Sequence, residues 1–524
     1  MHNTGQTAQA MSANLRDHIL STLSSLPGTR DFHLHVLVSS PRKNSSLYYF
    51  ARPRPRVYLQ DILILLSEQR SLDSPRILVS AIEAAVYHIP ATSSAVLYVS
   101  KVDSTGQATS PSPTSHLVRA LLSFYVDPRT RPLAVDHLWI QLFARAQAQY
   151  LFPNSAEYPG KRPLSDIKLC VWWKRVLSWV AAEAKPETII KPFYILPGCS
   201  ELEAENSLRI ASSSTASPTG LKWIYGHPYS LSEIPSPCPI SIEAPNLGHY
   251  IPNFDDDPKS RFLDEIAYTT EEGIKSPVRK RSRTNEESGA NKKSVGEEVS
   301  TASTKDDRPL GELSKVTPDE FWERMSFRQE CVAGAITGFF TLIVSSSSST
   351  SPDNPTQKSI SPLAPQPGQV SSQLNKRIMT SLQTGNEFST IERSIRATET
   401  LETAIKGLCD GITTVRSGDG PPAPIRPRKL DRCTPEPETP SLLAPPSTPP
   451  PRRLHGKAVL PDVSPNPFPE PVASLETYHS HIYGSISVRN PVAADKNTSV
   501  KADAVPAIPQ VTVLTVRRKK KRTD

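Results

Sequence analysis

From about Ser12 to Tyr268, short apolar segments alternate with longer amphipathic stretches, and that alternation restricts the ordered part of the chain to a mixed α/β architecture. The apolar runs at residues 32–38, 77–89 and 95–99 set the rhythm. The first of them (FHLHVLV) reads as a strand, and residues 117–125 read as a helix. With 524 residues the chain has room for three domains, but 37% hydrophobic residues and 52 prolines leave a large fraction unable to bury a core. One sizeable domain accompanied by disorder is expected.

Residues 271–307 are charged, serine-rich and poor in apolar groups, so residues 271–315 are read as a disordered insertion rather than the end of the domain. The chain then shows agreeing helix-start signals. Thr317 can cap, Pro318 fits the first helical position, Glu320 suits a capping box, and Val316 can staple onto Phe321. Phe321, Met325, Val332, Ile336, Phe339 and Ile343 recur at spacings that predict one buried helical face. The apolar run 332–344 is shorter than the roughly 20 residues needed to span a bilayer and is read as part of that helix. A serine and proline linker, residues 345–372, is expected to be disordered. Helical character returns over residues 373–415 through Ile378, Leu382, Ile391, Ile395, Leu401, Ile405 and Leu408. The expected organisation is a domain over residues 12–416, followed by a disordered proline-rich region, residues 417–524, with a basic tail.

No basic start followed by an apolar stretch opens the chain, so secretion is not expected. The six cysteines are scattered without a CxxC pair, which argues against a zinc ribbon or a disulfide framework and for a reducing compartment. A formal charge of +8 favours an acidic partner such as chromatin, with solubility as the plainer explanation. No GxxxxGK[ST], GxSxG, HExxH or RxxGxG motif is present. His479 and His481 form an HxH pair without further ligands, so no metal is expected.

Two stretches stand apart from composition. In residues 143–177 a polar, turn-prone segment with Pro153, Asn154, Ser155, Pro159 and Gly160 separates a Tyr-Leu-Phe cluster from the pair Trp172 and Trp173. Residues 256–262 (DDPKSRF) crowd carboxylates, a lysine and an arginine together. Taken alone, Asp255, Asp256 and Asp257 would be a solvated turn, and Asp257-Pro258 a helix start. The Trp pair would be core packing, with neighbouring side chains about 100° apart on a helix.

Both stretches resemble the fungal histone H3 core-lysine acetyltransferases, a replication- and DNA-damage-linked family similar in fold to the CREB-binding-protein acetyltransferase domain. The resemblance implies an α/β fold with a central mixed sheet surrounded by helices, acetyl-CoA as co-substrate and no metal. It aligns Asp256, Asp257, Pro258, Lys259, Arg261 and Phe262 with the family's DDPK motif, with Asp257 as candidate catalytic carboxylate and Lys259 as the lysine that becomes acetylated. It assigns Val102, Asp103 and Ser104 to the acetyl and pantetheine end of the cofactor, and counts Asp256, Asp103, Tyr150 and Trp173 with Asp257 as candidate catalytic residues. The loop of Pro111, Ser112, Pro113, Thr114 and Ser115 corresponds to the one following the diphosphate. Relatives are expected to carry arginine where Pro111 stands, so backbone N–H groups, Arg119 or Arg162 would have to hold the phosphates. Phe143, Gln147, Arg162, Pro163, Leu164 and Trp172 are implied to continue the groove, Tyr150 to lie near the thioester, and Trp173 to line the lysine tunnel.

Acetylation requires that a lysine ammonium, with a reference pKa of about 10.4, lose a proton before attacking a thioester, and that the resulting oxyanion meet a donor. Repulsion among the three aspartates would raise one of them as a base. The segment from Trp223 to Tyr229 is read as structural, with His227 a turn histidine. Histone H3-H4 and histone chaperones are the implied partners, with nucleic-acid contact through the basic tail, no membrane, and a nuclear location. The basic runs 279–283 and 517–522 suit that location as import signals. The competing class is a catalytically weak scaffold that binds chromatin or a histone chaperone.

Overall fold

The computed structural model describes residues 14–212, 220–240, 245–270, 273–274, 310–328, 331, 336–346, 361–364, 366–410, 412 and 475–491. Its centre is one mixed sheet. Strands β1 (Gly28–Ser39), β3 (Val57–Gln69), β4 (Ile77–Ile89) and β5 (Ser94–Ser104) pair antiparallel in that order. Strand β6 (His137–Ala144) then runs parallel to β5. Beyond it come β11 (Gly338–Ser346) and β7 (Thr188–Ile195), both antiparallel, and a two-residue β8 (Ile224–Tyr225) parallel to β7. At the opposite side β1 is covered by β12 (Gln369–Val370) and β13 (Tyr483–Asn490), while β2 (Arg42–Asn44) pairs with β3. A separate hairpin joins β9 (Thr269–Thr270) to β10 (Gly273–Ile274).

The period-two alternation of the strands sends consecutive side chains to opposite faces. Ile62, Ile64 and Leu66 of β3 and Leu138, Ile140 and Leu142 of β6 join the core beneath α1 (Leu15–Leu23), α2 (Thr114–Val126), α3 (Asp166–Glu183) and α4 (Glu201–Ala211). Leu63 and Leu65 turn the other way, toward α7 (Ser372–Thr384) and α8 (Ile391–Leu408). On that second face Tyr98 and Trp139 pack with Phe254, and Phe339 packs with α5 (Pro258–Tyr268) and α6 (Pro318–Met325). Each such side chain, fully buried, contributes on the order of 1.5–3 kcal/mol.

Three expectations are corrected here. The helix read across Phe321 to Ile343 ends at Met325, and residues 338–346 form β11, wedged between β6 and β7 and apolar toward both faces. A strand buried on both sides carries no alternation, so its short apolar run is indistinguishable from a helix by periodicity. Three of the start signals hold: Thr317 accepts the Glu320 N–H at 3.2 Å, Pro318 opens the helix, and Val316 and Phe321 share one cluster; the Glu320 carboxylate pairs with Arg324 instead of closing a capping box. Second, the expected disordered tail contributes β13, whose Ile486 and Val488 reach the α1 side of the core. One half-buried strand is masked by the prolines around it. Third, residues within both expected insertions belong to the fold: Leu313 is buried, and Val370 pairs with β1. Residues 275–309 and 347–360 and both basic runs lie outside the described residues.

Candidate active site

The parallel pair β5 and β6, joined across one face by α2, leaves a crevice beyond its carboxyl ends, the usual place for a ligand in such a sheet. A cleft of about 600 Å³ occupies it. The register of β4 and β5 slips between Glu83 and Ala84, so Ser100 is an extra residue whose hydroxyl bonds the Glu83 carbonyl at 3.0 Å. This bulge turns the end of β5 and brings consecutive residues from Tyr98 to Ser104 onto the cleft wall.

Most of the expected site residues converge there. Val102, Asp103 and Ser104 come from β5, Ser112 and Thr114 from the start of α2, and Phe143, Gln147 and Tyr150 from the end of β6 and the loop after it. Arg162, Pro163 and Leu164 form the lip, and α3 supplies Trp172 and Trp173. The two indoles meet edge to face, centroids 4.8 Å apart, with Trp173 buried and Trp172 half-buried. Asp255, Asp256 and Pro258 line the cleft as well. Pro111, Pro113, Ser115, Asp257 and Lys259 do not line it. Tyr98, Lys101, Arg145, Lys161, Leu169 and Arg261, to which the motifs assign no role in the site, do line it. All six lie inside or beside the strings already singled out.

Asp103 is the anchor of this wall. Its carboxylate accepts the backbone N–H groups of Tyr150 (2.8 Å), Leu151 (2.8 Å) and Phe152 (3.2 Å), the Ser104 N–H (2.8 Å) and the Lys161 ammonium (2.9 Å). A carboxylate so occupied fixes a loop instead of moving a proton. Gly106 completes the fit: its φ of +77° is left-handed, and a Cβ there would meet the Lys161 Cα at 2.5 Å. The Tyr150 hydroxyl donates to the Arg145 carbonyl, and burial pushes its phenol up to about 12, so it stays protonated at neutral pH.

The loop before α2 is tied from below. Buried Arg30 donates to the carbonyls of Thr109 and Pro111, and Glu68, its ion-pair partner at 3.3 Å, accepts the Thr109 N–H at 3.0 Å. No motif signals this pair, because its members are far apart in sequence. At the start of α2 the N-cap residue Pro113 has no side-chain cap; the Thr114 N–H donates to Ser112 Oγ at 3.4 Å, a long bond that an anion could displace. Arg119 is engaged by Glu183 and lies outside the cleft. Arg145 and Arg162 line the cleft and form no ion pair among the described residues.

The three aspartates divide. Asp255 and Asp256 are exposed, with Asp256 at φ +62° and 3.6 Å from the Lys101 ammonium. Asp257 is fully buried, caps α5 through the Lys259 N–H (2.8 Å) and holds the Lys259 ammonium at 2.6 Å. The expected cluster of mutually repelling carboxylates is therefore not formed. Lys259 lies between the rings of Phe254 and Phe339, 5.6 and 4.9 Å from their centroids. Burial and the neighbouring Asp257 carboxylate raise the Tyr98 phenol well above its ordinary value.

Fold and cleft together define a mixed α/β protein with a cleft at the carboxyl ends of a parallel strand pair, lined by cationic side chains and by apolar ones. The fold is similar to that in the crystal structure of Rtt109 from Aspergillus fumigatus, with a TM-score of 0.55 and 24% identity over 76% of this chain and 96% of that one. Residues 130–404, more than half of the chain, match the histone acetyltransferase KAT11-type domain. The chain belongs to this KAT11-type family. Among named relatives, the histone acetyltransferase rtt109 of Aspergillus flavus is 31% identical over 295 residues, 52% of this chain and 46% of that protein. The protein of the same name from Schizosaccharomyces pombe is 26% identical over 250 residues, 47% of this chain and 52% of that protein. The chain spans about half the length of the curated relatives it matches.

Proposed function

We propose that the protein transfers the acetyl group of acetyl-CoA to a lysine of histone H3, in the nucleus, on H3-H4 presented by a histone chaperone during chromatin assembly and the response to DNA damage. The observation that carries this reading is the cleft at the ends of β5 and β6, where the Asp103-anchored loop, Tyr150 and the Trp pair meet in a chain of the KAT11-type family. Its residues fit the co-substrate. The start of α2, with Ser112, Thr114, Arg145 and Arg162, suits phosphates, and Phe143, Leu164 and Trp172 suit the apolar arm.

Acetyl-CoA supplies the activated thioester. Trp173 forms the wall along which the substrate lysine enters, and Asp256, facing the cleft, accepts the proton that the lysine must lose. Tyr150, held protonated, can serve as the oxyanion donor only by exchanging the Arg145 carbonyl for the developing oxyanion as its acceptor. Asp103 acts by positioning Tyr150, and Asp257 by holding Lys259, which becomes acetylated in turn. Residues 417–474 and 492–524 act as a proline-rich arm with a basic tail that adds affinity for acidic chaperones and nucleic acid. Titration calorimetry with acetyl-CoA tests the assignment of the cleft. Binding that weakens in Arg162→Ala and Trp172→Ala is expected, and no binding by the folded protein would leave the scaffold reading in its place.

A further inference from the structure

Behind Lys259 lies a second, small cavity of about 10 Å³, close to the space one water molecule needs. Its lining includes Gln141, His227, Trp322 and Lys259. Three buried polar atoms of these residues have no hydrogen-bond partner among the described residues: Gln141 Oε1, His227 Nδ1 and Trp322 Nε1. Leaving each unsatisfied would cost roughly 1–3 kcal/mol, so their convergence on one pocket calls for a common partner. The partner's chemistry is set by its neighbours. Trp322 Nε1 and the Lys259 ammonium can only donate, and Gln141 Oε1 can only accept. His227 Nε2 lies 3.1 Å from Asp319 Oδ1 and donates to it, which leaves Nδ1 as an acceptor. Two donors and two acceptors are the complement of one water molecule.

We infer that this cavity holds one water, and that the water, His227 and Asp319 carry protons from the buried Lys259 ammonium to solvent by a path separate from the cleft. The inference rests on the reading above that Lys259 accepts an acetyl group. To do so its nitrogen must shed protons, and the Asp257 carboxylate beside it is fully buried. Along the path a Lys259 Nζ–H bond breaks as an O–H bond forms on the water. The water passes its own proton to His227 Nδ1, and the Nε2 proton leaves to Asp319, whose side chain is 74% exposed. The water and His227 return to their neutral forms, and the Asp257 carboxylate keeps its charge beside the neutral lysine nitrogen. The ionisable groups facing His227 are Asp319 on α6, Lys259 on α5 and Tyr229 on its own loop. Burial lowers the imidazole pKa below its usual 6.5 against the opposing pull of Asp319, so at neutral pH it is an open acceptor. As pH falls through that pKa the ring is already protonated, and transfer to Lys259 should slow.

The test follows heavy-isotope acetyl-CoA into Lys259 of the full-length protein by peptide mass spectrometry, over a range of pH, with H3-H4 acetylation and thermal unfolding measured alongside. His227→Gln keeps a hydrogen bond to Asp319 but cannot pass a proton. It should unfold at the wild-type temperature, label Lys259 about tenfold more slowly or worse, and lose the acid limb of the pH profile. A wild-type rate and profile in that variant would overturn the inference. Should His227→Gln misfold, Asp319→Asn, altered at an exposed position, decides instead. A slower rate with a displaced acid limb supports the path, and an unchanged one overturns it. Wild-type protein that labels H3 but never Lys259 overturns the path alone, whereas labelling of neither removes the reading of the site on which it rests.

Discussion

The Lys259 ammonium sits 2.6 Å from the Asp257 carboxylate, both side chains buried, directly behind a wall to which their neighbours Asp256 and Pro258 contribute. A buried pair of this kind repays its desolvation only while both members are present. Asp257→Ala should therefore destabilise the protein by about 3–5 kcal/mol, and the double change Asp257→Leu with Lys259→Met should recover most of the loss. Urea unfolding of the three proteins checks this. Equal midpoints for the single and double variants would mean that the pair is not what holds α5.

Asp103 makes a comparable prediction with a different readout. Removing its carboxylate strands the Lys161 ammonium, 6% exposed, and frees three backbone N–H groups of the Tyr150 loop. Asp103→Ala should cost about 3–5 kcal/mol and abolish turnover, while Asp103→Asn, which keeps an acceptor, should lose less of both. Calorimetric unfolding together with the acetyl-CoA KM separates the two effects.

Trp173 is 5% exposed and lies in the core under α3, so Trp173→Ala should cost about 3–5 kcal/mol through the cavity it leaves. Trp173→Phe retains most of the packing. It should fold with a small loss of stability and turn over at least about tenfold more slowly on histone, the signature of a shaped entrance rather than a structural prop. A Trp173→Phe enzyme with wild-type kcat/KM would assign this indole to packing alone.

Acid should loosen the C-terminal clasp. His35, fully buried, bonds the Tyr478 hydroxyl at 3.0 Å, and His33 bonds that of Tyr483 at 2.9 Å. Burial lowers the His35 pKa from 6.5 to about 4. Because the folded pKa is the lower one, the unfolded chain binds the proton first. The stability His35 contributes is whole above pH 6.5 and is lost as pH falls from there toward 4, roughly 3 kcal/mol in all. Hydrogen exchange in residues 478–490 should accelerate over that window and do so less in His35→Phe.

How far the sequence could be read follows from where each signal lies. The cleft-lining residues sit in contiguous strings, with Tyr98 to Ser104 on one strand end and Tyr150, Arg162 and Trp172 in one block, so a motif carries them. Local chemistry also placed α6 correctly at Thr317 and Pro318. What escaped depends on long-range pairing: the Arg30 and Glu68 tether, β13 against β1, and β11 between two strands whose neighbours hide its period. The separation of Asp256 from Asp257 was illegible for another reason. It comes from one left-handed backbone residue, Asp256, which sends adjacent carboxylates into solvent and into the core.

Acetyl transfer to histone is decided by incubating the full-length protein with H3-H4, a histone chaperone and acetyl-CoA, then mapping acetyl-lysines by mass spectrometry. Acetylation of H3 that depends on the protein and falls at least about tenfold in folded Trp173→Phe is the expected result. Histone acetylation no greater than in the protein-free control, from wild-type protein shown to be folded and to bind the histones, would contradict the account and leave a chromatin-binding scaffold.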